Sequence, residues 1–137
     1  MKYLVDANVL SEATRPDPDG HVLEWLRRHQ AEIVVDPVVL GEIQFGIYLL
    51  PPGQKRERLE LWFAEGVSKV VCLAWQAETG LRWARLLADL GVAGKAMPVK
   101  DSLRAASALI HGLAVVTRNV AEFQSAGVEI LNPFIGE

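Results

Sequence analysis

Three acids and one short polar cluster are the residues of this 137-residue chain whose placement suggests chemistry. Asp6 and Asn8 directly follow the apolar run Lys2-Tyr3-Leu4-Val5. Glu42 lies in the stretch after Pro37, where about 100° per residue sets it among Val38, Val39, Gly46 and Leu49, with Gln44 roughly opposite. Asp101 falls in the first turn of a segment opened by Pro98, beside Ala105 and Ala108, and Thr117, Asn119 and Glu122 follow a second apolar run. Each has an ordinary structural explanation: an Asx turn or helix cap for Asp6, a buried ion pair for Glu42, the helix dipole for Asp101, local capping for Thr117 and Asn119. Together they share another. Oxygen-only donors without His or Cys suit a hard divalent ion, Mg²⁺ or Mn²⁺, which also offsets the repulsion among clustered carboxylates. An ion held this way commonly faces phosphate oxygens and activates a water nucleophile.

Positioning these groups requires a repeated strand-and-helix framework, and the hydrophobic pattern supplies one. Strands are expected at 2–5, 33–35, 69–73, 113–116 and 128–131, with helical patterns between them. Asp17-Pro18-Asp19 offers capping for a helix carrying Val22, Leu23 and Leu26. Asp36-Pro37 reads as an N-cap followed by proline at the first helical position, and Pro51-Pro52-Gly53 stops that helix near Leu50. A charged helix runs from about Gln54 to Glu65. The segment 75–90 places Leu81, Ala84, Leu87 and Ala88 on one face, and the helix after Pro98 ends at His111-Gly112. The expected class is α/β: one domain over residues 1–137, with a central parallel, about five-stranded sheet covered by helices on both faces. In such sheets ligands sit beyond the carboxyl ends of the strands, which is where Asp6 and Thr117 fall.

Composition narrows the classes further. A formal charge of −3 with dispersed Lys and Arg gives neither a basic arm nor an acidic tail. Setting aside Asp6, Glu42, Asp101 and Glu122 turns the balance slightly positive, so the acidity reads as a cation-shaped deficit in a near-neutral surface. Cys72 is the only cysteine, which excludes an intramolecular disulfide and multi-cysteine metal sites. With no apolar run near the ~18 residues that span a bilayer, no membrane association is expected and a cytoplasmic location fits. His21, His29 and His111 are not placed to act as a general base.

In order along the chain, Leu4-Val5-Asp6-Ala7-Asn8-Val9-Leu10-Ser11-Glu12, Leu40-Gly41-Glu42-Ile43 with Gly46, Pro98-Val99-Lys100-Asp101-Ser102-Leu103 with Ala105-Ala106, and Thr117-Arg118-Asn119 with Glu122-Phe123 resemble the motifs of PIN-domain ribonucleases of the VapC type, the toxin half of bacterial toxin–antitoxin pairs. Asn132-Pro133 is similar to a common ending of that family. The resemblance implies a PIN-like domain that hydrolyses RNA phosphodiester bonds with Mg²⁺ or Mn²⁺. It makes Asp6, Glu42 and Asp101 the catalytic, metal-binding acids and puts Asn119 where many members have a fourth acid. An Asn carries no charge, so either Asn119 or Glu122 completes the set, with Asn8 and Thr117 in support. The resemblance further implies a homodimer or a toxin–antitoxin hetero-oligomer, and a cognate antitoxin whose tail blocks the metal site with a basic side chain.

Arg118, Lys100 and Arg104 are the basic residues expected nearest the acids and could hold RNA phosphates. Lys100, Arg104, Ser107 and His111 recur at helical spacing as one polar stripe, which reads equally as a solvated helix face. Lys55, Arg56 and Arg58, and the pair Arg27-Arg28, could extend the basic surface, while the four tryptophans read as core. Two other readings use the same framework: a catalytically weak or inactive PIN-fold binding protein, and a phosphoacceptor signalling domain. The second lacks an acceptor Asp after the third strand and a Lys after Val115.

Overall fold

Leu4 and Val5 face opposite sides of one strand, and the architecture follows from that alternation. The computed structural model describes residues 1–135. The sheet is five-stranded and parallel, in the order β3-β2-β1-β4-β5. Its strands are β1 (Tyr3–Val5), β2 (Ile33–Val35), β3 (Val71–Cys72), β4 (Ala114–Val116) and β5 (Ile130–Leu131). Leu4, Val34 and Val115 pack on one face against helices α5 (Ala77–Val92) and α6 (Val99–His111). Val5, Val35 and Val116 pack on the other against α1 (Ala7–Leu10), α2 (Gly20–His29) and α3 (Pro37–Tyr48), with the 3-10 residue Val67 closing that core. Helix α4 (Gln54–Glu65) lies over α3, and α7 (Val120–Phe123) buries Phe123 on the α6 side. Burial on both faces explains why these strands read as continuous apolar runs rather than alternating ones.

Local chemistry sets the helix ends that matter for the site. Asp36 caps α3 by accepting from the Val39 N–H at 2.9 Å, with Pro37 at the first helical position. Helix α6 stops at Gly112, whose φ of 65° is left-handed and readily available to glycine. Trp83 Nε1 donates to Ser102 Oγ at 2.9 Å and Trp75 Nε1 to Ser107 Oγ at 3.1 Å. These bonds, with Ala105 and Ala108 against the sheet, fix the rotation of α6 and therefore the direction of Asp101 and Arg104.

Several expectations are corrected. The third strand is only Val71–Cys72, an exposed edge preceded by a 3-10 turn at Val67–Lys69, and the fifth is Ile130–Leu131. Helix α5 buries Thr79, Leu86 and Leu90 and leaves Leu81 and Leu87 in solvent, because α6 covers the opposite stripe from the one chosen by spacing. In α2 the buried pair is Val22 and Trp25, with Leu23 exposed. In α3 the buried stripe is Val39, Ile43 and Ile47, so Glu42 stands at its border rather than within it, and Leu49 is exposed. Trp75 is also exposed, although its indole N–H is bonded.

Among the described residues no helix is long and apolar enough to cross a membrane.

Candidate active site

The chain reverses its direction of travel across the sheet at β1, which has β2 on one side and β4 on the other. The crevice beyond the carboxyl ends of these strands is where an open parallel sheet presents a ligand site. Asp6 stands there, directly after β1. Its backbone N–H bonds to the Val116 carbonyl at 2.8 Å, which ties it to the end of β4. Asp6 Oδ1 accepts from the Ala7 N–H at 2.8 Å, so the capping explanation is true of this residue as well. Its Oδ2 accepts from Thr117 Oγ1 at 2.8 Å and from Asn8 Nδ2 at 3.3 Å. Thr117 Oγ1 accepts in turn from the Asn119 N–H at 3.0 Å, and Asn8 Oδ1 from the Arg118 N–H at 3.1 Å. The Asp-x-Asn segment after β1 and the Thr-Arg-Asn turn after β4 thereby lock each other, and Asp6 is held with little freedom to rotate.

The remaining acids gather around one cation. Arg104, 1% exposed on its side chain, directs Nη1 at Asp101 Oδ1 at 2.9 Å and at Asp6 Oδ1 at 3.0 Å, and Nη2 at Glu42 Oε1. Lys100 Nζ reaches Glu42 Oε2 at 3.2 Å from the solvent side. A buried ion is costly unless paired and hydrogen-bonded, and Arg104 meets that condition through three carboxylates. The polar stripe expected on α6 is therefore corrected: Lys100 and His111 face solvent, but Arg104 and Ser107 are buried, because α5 and the acid cluster cover that side. Arg104 consequently stands among the acids rather than on an RNA-facing surface. The ion-pair explanation for Glu42 is what the geometry shows.

Two further acids complete the electrostatics. Glu122 hydrogen-bonds to Asp101, and burial followed by that bond pushes the Asp101 carboxyl up to about 6, against the opposing pull of Arg104. Asp36, fully buried at the end of β2, has its carboxyl raised mainly by burial, and its Oδ2 has no hydrogen-bond partner. Asp36 also feels the charges of Arg104, Asp6 and Glu42. Sequence reasoning read Asp36 only as a cap; its position directly after an apolar strand, matching that of Asp6, was the available signal.

A cavity of about 370 Å³ opens on this cluster, lined by Asp6, Asn8, Glu42, Lys100, Asp101, Arg104, Asn119 and Glu122. All of the expected site residues except Thr117 and Arg118 line it, and Thr117 lies directly beneath, bonded to Asp6. Beyond Asn8 and Glu42 a second space of about 500 Å³ continues between α1 and α4, with Arg15, Lys55 and Arg58 beside Ile47, Leu59 and Trp62. Arg118 is exposed, with its guanidinium carbon 4.5 Å from the centre of the Phe134 ring. Arg27 pairs with Glu24 and borders a different pocket that contains none of the acids. Arg56 is engaged by Glu60.

The donor set fits a hard cation in chemistry: oxygen atoms only, from three elements, already converging on one positive centre. With the guanidinium in place the oxygens take hydrogen-bond spacing around it. Among the described residues no three His, Cys, Asp or Glu side chains are arranged to hold a metal ion directly.

Comparison with known proteins bears on the family and the fold. The PIN domain family model matches residues 3–128. The chain is 34% identical over 136 residues to the plasmid stability protein StbB of Pseudomonas syringae pv. tomato, covering 96% of this chain and 97% of that one. It is 31% identical over 136 residues to the VapC ribonuclease Y4jK of Sinorhizobium fredii, covering 96% of each. Its backbone matches a chain of FitAcB from Neisseria gonorrhoeae with a TM-score of 0.90 and 27% identity, over 96% of this chain and 98% of that one. By a match that runs from the first strand to the approach of the last, this chain belongs to the PIN domain family.

Proposed function

We propose that the chain is a toxin endoribonuclease that cleaves RNA phosphodiester bonds with Mg²⁺ or Mn²⁺ and is neutralised by a cognate antitoxin. The observation that carries this reading is the convergence of Asp6, Glu42 and Asp101 on a single cationic centre at the carboxyl edge of the sheet. Relatives named as ribonucleases and as a toxin support it: the VapC ribonuclease of S. fredii, ribonuclease VapC4 of Mycobacterium tuberculosis at 30% identity, and toxin FitB of N. gonorrhoeae at 28%. A homodimer, or a hetero-oligomer with the antitoxin, is part of this proposal, as the assembly that the family resemblance implies.

Asp6, Glu42 and Asp101 would hold the metal, with Glu122 within reach through Asp101 and Asn119 on the cavity wall. When bound, such an ion supplies Lewis-acid stabilisation of charge on the phosphoryl oxygens and lowers the pKa of a bound water. The protein's own part is orientation and charge. Asn8 and Thr117 aim Asp6. Asp101 is hydrogen-bonded to Glu122, and its carboxyl is pushed up to about 6, first by burial and then by that bond. Lys100 at the rim and Arg118 near the Thr117 turn face solvent, where they can hold phosphates on either side of the scissile one. The space lined by Arg15, Lys55, Arg58 and Trp62 offers charge and an apolar wall for an antitoxin tail entering from the far side.

The reading of an inactive binding protein draws on one observation, the occupation of the acid cluster by Arg104. Purified protein incubated with RNA and Mn²⁺, with and without a chelator, separates the two. Chelator-sensitive cleavage that is lost in Asp6→Asn supports the nuclease; intact RNA at every metal concentration refutes it.

A further inference from the structure

We infer that Arg104 is an internal competitor for the metal: its guanidinium and a divalent cation exclude each other at Asp6, Glu42 and Asp101, so the ion binds only when the Arg104 side chain leaves the carboxylates. The inference rests on the metal-dependent reading above. It concerns what this chain's own arginine does to that site.

The oxygen inventory leads to it. Asp6 Oδ2 is committed to Thr117 and Asn8, and Glu42 Oε2 to Lys100. Asp101 is engaged by Glu122 as well as by Arg104. The oxygens these acids turn inward are Asp6 Oδ1, Glu42 Oε1 and Asp101 Oδ1, and all three are the ones that Arg104 contacts. A cation held by these same three oxygens would take the place of Nη1 and Nη2. Sharing is opposed by charge, since a dication among the same oxygens would stand a few ångströms from a buried guanidinium, where repulsion is weakly screened.

The contact is also suited to exchange. Arg104 Nε is buried without a hydrogen-bond partner, so the head group is held at its Nη ends only. Asp36 offers a buried carboxylate oxygen, equally unpartnered, within the electrostatic reach of Arg104. A guanidinium leaving the three acids thus remains within the electrostatic reach of one further buried carboxyl group. The outcome is a site whose negative charge is partly offset without metal, and that takes up metal only by displacing a resident charge.

The test is Mn²⁺ binding by calorimetry to the wild-type chain and to Arg104→Leu. The expected result is an affinity on the order of tenfold tighter or more in the variant. Equal or weaker binding in Arg104→Leu overturns the inference while leaving the metal site intact. Absence of Mn²⁺ binding in both proteins overturns the metal reading, and the inference falls with it. Because loss of a buried cation weakens the apo fold, a second measurement uses the wild-type chain: the Arg104 Nε–H signal, assigned by its loss in Arg104→Lys, followed by NMR as Mg²⁺ is added. A large shift and faster solvent exchange on saturation are expected. A signal unmoved while Mg²⁺ binds overturns the inference.

Discussion

Arg104 follows Asp101 by three residues on α6, and its Nη1 lies 2.9 Å from Asp101 Oδ1, so one helix supplies both an acid of the cluster and the buried cation that pairs with it. The same nitrogen reaches Asp6, which links this helix to the end of the central strand. Metal-free folding of a site with four carboxylates around it is thereby explained by a residue of the chain itself.

Removing that cation should be expensive in the absence of metal. Breaking a buried ion pair on one side typically costs ~3–5 kcal/mol, and Arg104→Leu should lose roughly that much stability in urea unfolding without metal. Saturating Mn²⁺ should return most of it. A variant as stable as wild type without metal would show that the carboxylates do not need the guanidinium.

Acid should stabilise the metal-free protein. The Asp101 carboxyl is raised from 3.8 to about 6, so the folded state binds its proton more tightly than the unfolded state does. That contribution is fully present below the unfolded value and is lost as pH rises through about 6. Asp36, also raised, acts in the same direction. The melting temperature should therefore increase when the pH is lowered from 7 to 5 and the gain should shrink in Glu122→Gln. Added Mn²⁺, which favours the charged carboxylates, should reverse the trend.

The strands and caps were legible in the sequence because they are local. Val34-Val35 followed by Asp36-Pro37 carries its own start signal, and Gly112 its own stop. The identity of the acids was legible for a related reason, since Asp6 sits directly at a strand end and Asp101 one turn into a helix. What spacing could not show is which of two faces a helix turns inward when both are plausible. Leu81 and Leu87 gave as good a stripe as Leu86 and Leu90, and only the packing of α5 on α6 decides between them. Arg104 was misjudged likewise: a charge at helical spacing with Lys100 reads as solvated until Asp6 and Glu42, distant in sequence, are brought beside it.

Thr117 should prove to be a positioning residue. Its hydroxyl donates to Asp6 and accepts from the Asn119 N–H, so Thr117→Val removes the shorter of the two side-chain hydrogen bonds to Asp6 Oδ2 and the partner of the Asn119 N–H. A loss of ~1–3 kcal/mol is expected in unfolding measurements, together with weaker Mn²⁺ binding. Thr117→Ser should restore both. Restored stability without restored metal binding would mean that the hydroxyl serves the fold only.

Arg118 should affect RNA and not metal. It is exposed and stacks on Phe134 beside the Thr117 turn. Arg118→Ala should weaken RNA binding and reduce the salt dependence of that binding by about one phosphate contact, with Mn²⁺ affinity unchanged. An unaltered salt slope would remove Arg118 from the RNA-facing surface.

The most direct test of the account is cleavage of bulk RNA by the purified chain as a function of Mn²⁺ concentration, compared with Asp101→Asn. The account predicts cleavage that saturates with Mn²⁺, is abolished by chelation and falls at least on the order of 100-fold in the variant. Cleavage that persists in Asp101→Asn, or that ignores the chelator, would contradict it.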